Sequence, residues 1–151
     1  MADKPYKRPE SVLVLVYTSD GEVLLLRRRQ PPDFWQSVTG SLEWEETDPR
    51  ETAQRELTEE IGLTGAVDMV DCGITNRFAI KPEWRRRYAP DVQENIEYVY
   101  RVKLAARIPV TLNPSEHTEY EWLPREQAAA KVFSWTNRDA ILRFVPSPRP
   151  D

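Results

Sequence analysis

The sequence predicts a fold of the α/β class (α+β), a mixed β-sheet held between helices. Three observations predict it. Ser11–Tyr17 (SVLVLVY) is almost wholly apolar and rich in β-branched residues, the signature of a buried strand. Glu46–Leu63 (ETDPRETAQRELTEEIGL) reads as one helix set between two groups of strands. Two further helical stretches close the chain. Strands, helix, strands and helices in that order make a mixed sheet covered by helices.

Each element has a local reason. Residues 1–9 are polar with two prolines and are expected to begin loosely. After the first strand, Ser19-Asp20-Gly21 is a hairpin turn and Glu22–Arg28 is the partner strand. Arg27, Arg28 and Arg29 emerge at its end, with Arg28 on the opposite face from the other two. They are either a solvated strand end or a grip on phosphate, for which the guanidinium fork is suited. Gln30–Asp33 (QPPD) is a turn, and Trp35 is either core or a stacking surface. A short strand over residues 36–39 ends at Gly40, where the backbone can be approached closely.

The central helix carries its own punctuation. Asp48 is an N-cap with Glu51 three residues on, Pro49 takes the first helical position, and Gly62 suits a left-handed C-cap. Ala53, Leu57 and Ile61 form its apolar stripe. Beyond it, residues 67–72 and 74–80 read as strands broken at Gly73. Lys81–Asp91 (KPEWRRRYAPD) is a polar loop whose Arg85–Arg87 and aromatics suit either solvent or a nucleotide. Glu94–Leu104 alternates as a strand, residues 110–112 form a short one, 113–119 a loop and 120–123 a last strand. Pro124–Val132 and Asn137–Val145 are helices, the second with Ala140, Ile141, Phe144 and Val145 inward. The 151 residues are expected to make one domain, with 145–151 a disordered tail.

Composition excludes several classes. No apolar run is long enough for a membrane span. The net charge of −4 argues against a dedicated nucleic-acid binder. The single cysteine, Cys72, rules out an internal disulfide framework, suits a reducing, cytoplasmic setting, and is expected to be a small buried hydrophobe.

The acids of the central helix are the chemical signal. Glu56 and Glu60 are i,i+4 neighbours with Glu59 beside them, a spacing at which like charges repel. Arg55 can relieve Glu59, but no basic residue of the helix is placed to relieve Glu56 and Glu60 together. A solvated acidic face is one reading. A hard divalent cation, held by carboxylates together with substrate phosphates, is the other.

Gly40, Glu46, Arg55-Glu56-Leu57, Glu59-Glu60 and Gly62-Leu63 resemble the Nudix box, Gly-x5-Glu-x7-Arg-Glu-U-x-Glu-Glu-x-Gly-U, where U is aliphatic. There is one departure: eight residues, 47 to 54, separate Glu46 from Arg55, against seven in the pattern. Glu46 is favoured for the loop position, with Thr47 the other candidate. The resemblance extends over residues 5–145, through Tyr6-Lys7-Arg8-Pro9, Phe34–Ser41, Arg87-Tyr88-Ala89-Pro90, Glu116-His117 and Ser134-Trp135. In these it is similar to a bacterial subgroup of the family acting on dihydroneopterin triphosphate and deoxynucleoside triphosphates.

That resemblance implies an α/β/α sandwich and hydrolysis of a phosphoanhydride bond in a small-molecule triphosphate. It implies Mg²⁺, or Mn²⁺ in its place, on Glu56, Glu60 and Glu116, with Glu59 in support. Lys7, Arg28 and Thr39 match substrate-touching positions, and His117 and Ser134 fall where further contacts would lie. By itself, a lone loop histidine such as His117 is an exposed polar residue. An activated water would pass its proton to Glu116 or to a box glutamate. The rival readings are a general dNTP pyrophosphohydrolase, an RNA 5′-pyrophosphohydrolase using Arg85–Arg87, and a non-catalytic binding module.

Overall fold

The computed structural model describes residues 6–65 and 68–147. Residues 1–5, Val67 at the expected start of a strand, and the tail from residue 148 lie outside them. In chain order the elements are β1 (Glu10–Thr18), β2 (Glu22–Arg28), β3 (Trp35–Gln36), β4 (Val38–Ser41), α1 (Pro49–Ile61), β5 (Met69–Ala79), a 3-10 helix (Pro82–Arg87), β6 (Glu94–Leu104), β7 (His117–Pro124), α2 (Arg125–Lys131) and α3 (Trp135–Phe144).

The sheet has seven strands in the order β3-β2-β1-β6-β5, with β4 on β1 and β7 on β2. It is mixed, because β1 runs parallel to β6 while the other pairings are antiparallel. The run that predicted β1 feeds both faces, as a period of two requires. Val12, Val14 and Val16 pack with Ala53, Leu57 and Ile61 of α1. Leu13, Leu15 and Tyr17 pack with Ala128, Ala129, Ala140 and Ile141 of α2 and α3. Helices on both faces make the α/β/α sandwich. As predicted, Ala140, Ile141 and Val145 are buried, whereas Phe144 is only partly so.

α1 keeps its predicted ends. The Asp48 carboxylate accepts from Arg50 N–H at 3.0 Å, and Gly62, at φ +76°, donates to the carbonyls of Leu57 and Thr58. The helix proper is Pro49–Ile61, and Glu46 belongs to the loop before it.

Several expectations are corrected. The strand over 36–39 splits because Ser37 is taken by α3: its N–H donates to Asn137 Oδ1 and its hydroxyl accepts from Asn137 Nδ2. β5 runs through Gly73, where an irregularity closed by Gly73 N–H to Asp71 Oδ1 replaces a break, and neighbouring Cys72 is half-buried. Residues 110–112 form no strand; Thr111 N–H is spent on the Ile61 carbonyl while Val110 and Leu112 pack on the α1-side core. The 81–91 loop contains the 3-10 helix, started by Pro82 and closed by Tyr88 N–H to the Arg85 carbonyl. Finally, β7 begins at His117, three residues before the expected strand.

Candidate active site

A cleft of about 1160 Å³ opens beside α1, β4 and β6 and is walled by residues 6–8, the 3-10 helix and the N-terminus of α3. Glu56, Glu59, Glu60 and Glu116, and Lys7, Arg28, Thr39, His117 and Ser134, all line it.

The floor is carboxylate. Glu56 and Glu60 lie on the edge of α1 next to its apolar stripe, where they are buried against β4; Glu60 is only 3% exposed. Gly40 makes the space. A Cβ there would sit 1.9 Å from Glu56 Oε2. Burial pushes the Glu56 carboxyl up to about 7, against the pull of Arg55, with Glu59 and Glu116 adding to the rise. Glu60 is held well above the ordinary carboxylate range by burial first and by the Glu56 charge second. Glu116, exposed on the loop ahead of β7, is near enough to act on both.

Arg55 does more than relieve Glu59. Its guanidinium reaches Glu59 at 3.3 Å, Glu56 at 3.1 Å and both oxygens of Glu46 at 3.0 Å, and donates to the Ser41 carbonyl. Glu46, and not Thr47, therefore faces Arg55. The Arg8 guanidinium donates to the Glu43, Trp44 and Glu46 carbonyls, so the lengthened loop is pinned from both sides.

The opposite wall is basic and aromatic. Lys7 is drawn in by Lys7 N–H to the Arg87 carbonyl, and burial, then Arg87 and Arg28, lower its pKa to about 8. Arg28 sits where β2 loses register with β7, over the rings of Phe34 and Trp84, and donates to the Gln30 carbonyl. Phe34 stacks on Phe133 at 4.1 Å. Trp35 is core, with Lys131 over its ring. Thr39 gives its hydroxyl proton to the Val12 carbonyl and its N–H to Glu60 Oε1, so its side chain can only accept. Ser134 is the N-cap of α3, its hydroxyl shared with Thr136.

His117 contradicts the exposed reading. It is 3% exposed at the start of β7, and burial followed by the Arg28 charge lowers its pKa to about 4. Its ring is neutral, Nε2 lies 3.4 Å from Gln36 Nε2, and Nδ1 has no partner among the described residues. Asn95 and Glu97, both buried and both lining the cleft, were missed. Their signal was in the sequence: they stand in phase with Val99 on the inward side of an alternating strand.

Two buried, mutually repelling carboxylates, a glycine that leaves them room and a third acid nearby form an all-oxygen donor set, which fits a hard divalent cation. Among the described residues, no three acidic, His or Cys side chains converge as a ready-made cage.

The NUDIX domain model matches residues 7–144. The chain is 44% identical over 149 residues to the dihydroneopterin triphosphate diphosphatase of Escherichia coli, covering 96% of this chain and 97% of that one. It is 39% identical over 145 residues to the Haemophilus influenzae protein of the same name, covering 93% and 89%. The solved E. coli dihydroneopterin triphosphate pyrophosphohydrolase superposes with a TM-score of 0.87 at 43% identity, covering 94% of this chain and 98% of that one.

Proposed function

This chain belongs to the NUDIX family, and from that premise we propose that it hydrolyses dihydroneopterin triphosphate to the monophosphate and pyrophosphate, a step in making folate. One observation carries the proposal. In a chain whose relatives bear that activity's name from end to end, the buried Glu56–Glu60 pair faces Lys7 and Arg28 across a single cleft.

Divalent-metal use is general in this family, and Mg²⁺ is the ion we assign. Glu56, Glu60 and Glu116 would hold it, and it would supply charge neutralisation on the phosphoryl oxygens and acidify a water. The chain's own groups do the rest. Lys7 and Arg28 offset phosphate charge from the opposite wall. Glu116, exposed on the loop ahead of β7, takes the proton of the attacking water; Glu59, tethered to Arg55, is the second candidate base. Thr39 and neutral His117 offer acceptors, while Ser134 fixes the start of α3 beside the substrate. The lone Cys72 supports a reducing, cytoplasmic setting.

The test is pyrophosphate release with Mg²⁺ from dihydroneopterin triphosphate and the four dNTPs. A clear pterin preference is expected, and Glu56→Gln or Glu60→Gln should lower turnover at least about a hundredfold without loss of fold. Comparable rates on all dNTPs would replace this reading with nucleotide-pool cleaning. No release from any of them would replace it with a binding module.

A further inference from the structure

The cleft holds a second group of buried polar side chains, on β6 rather than α1. Asn95 and Glu97 are 3% and 5% exposed and line the cleft with Ser11 of the parallel neighbour β1, whose backbone is in register with Glu97. Asn95 Nδ2 donates to Ser11 Oγ at 2.8 Å, and Asn95 Oδ1 has no hydrogen-bond partner among the described residues. Glu97 Oε1 accepts from Asn76 Nδ2 at 3.1 Å. No cation pairs with the Glu97 carboxylate among the described residues; burial raises its pKa, and only the Asn76 and Thr136 side chains offset that.

A buried carboxylate without a cation and a buried amide oxygen without a donor are costly to leave unmet. Together they ask for a neutral ligand with adjacent N–H donors. The nearby Phe34–Phe133 stack and Trp84 give such a ligand, if planar, a surface to lie on. A 2-amino-4-oxo heterocycle has that edge: its 2-amino group stands next to a ring N–H. Guanine and pterin rings share it, whereas adenine offers an amino group next to a ring acceptor.

We propose that Glu97, aided by Asn95, is the specificity-determining residue of the cleft, accepting hydrogen bonds from the 2-amino and ring N–H groups of a pterin- or guanine-type ring. This deepens the triphosphate-hydrolase reading and rests on it. Carboxylates on α1 act on the phosphates, and the carboxylate on β6 reads the ring.

The experiment compares kcat/KM for dihydroneopterin triphosphate, dGTP and dATP in the wild type, Glu97→Gln and Asn95→Ser. Gln keeps the volume and the bond from Asn76 but loses the charged second acceptor. The expected result is a fall of about tenfold or more for the pterin and guanine substrates relative to dATP in Glu97→Gln, with a smaller fall of the same sign in Asn95→Ser. An equal loss on all three substrates, or none, overturns the proposal, because a merely structural role would not move the ratio. If Glu97→Gln fails to fold, Asn95→Ser alone decides by the same ratio. If the wild type does not hydrolyse the pterin substrate, the proposed physiological substrate fails, while the dGTP-to-dATP ratio still tests Glu97.

Discussion

At the level of single residues, Gly40 and Glu46 have separable jobs. Gly40 matters for the space it leaves, since an added Cβ would fall 1.9 Å from the Glu56 carboxylate. The side chain would swing away and the backbone would hold. Gly40→Ala is therefore expected to melt near the wild-type temperature and to lose roughly a hundredfold in turnover, the cost of misplacing a reacting group by about an ångström; steady-state kinetics beside a melting curve checks both halves. Glu46 matters for Arg55. The two hydrogen bonds from Arg55 hold its carboxyl down from 4.5 to about 2. A depressed carboxyl stabilises the fold above its unfolded value and stops doing so as the pH falls through the folded one. The Glu46–Arg55 pair should thus contribute about 1–2 kcal/mol near neutrality, after discounting for solvent, and nothing by about pH 2. Urea midpoints of the wild type and Glu46→Gln should differ at pH 6 and converge between pH 4.5 and 2. A constant gap across that range would mean the pair acts through packing.

Among the elements, α1 puts stability and function in opposition. Its apolar stripe holds the sheet, while the next stripe buries Glu56 and Glu60 side by side. Arg55 compensates Glu56 but does not reach Glu60. A divalent cation should accordingly stabilise the fold by about 2.7 kcal/mol at a hundredfold excess over its Kd, a rise of roughly 5–10 °C in Tm. Chelation should reverse it. Glu60→Gln should melt at or above the metal-free wild type and lose most of the metal-induced rise; an undiminished rise would place the ion elsewhere. α1 was legible in the sequence because caps and stripe are local signals: Asp48, Pro49, Gly62 and the spacing of Ala53, Leu57 and Ile61 each act within one turn. The strand over residues 36–39 was not legible. What divides it is Asn137, a hundred residues away, which takes the Ser37 N–H out of the ladder and also donates to its hydroxyl. Residues 110–112 alternate like a strand but meet the C-terminus of α1 rather than a neighbouring strand.

At the scale of the whole molecule, the cleft exists because distant segments converge, and this is where sequence alone runs short. The acids of α1 announce themselves by spacing. The burial of His117 does not, since it depends on β7 pairing with β2 as far as Arg28. Nor does the state of Lys7, which begins in a polar segment and becomes enclosed when its N–H bonds to the Arg87 carbonyl. That enclosure gives a pH dependence that no single segment carries. Burial, with Arg87 and Arg28 nearby, lowers the Lys7 pKa from 10.5 to about 8, so the ammonium is charged below that value and neutral above it. A neutral Lys7 offers a triphosphate no countercharge. For the free enzyme, kcat/KM should therefore decline as the pH passes through about 8, while a surface lysine would hold its charge beyond 10. Lys7→Arg keeps a cation at every pH in this range and should remove the decline; Lys7→Met should be slow and flat across it. A decline that persists unchanged in Lys7→Arg would assign the titration to another group and leave Arg28 and Arg87 as the phosphate-facing cations.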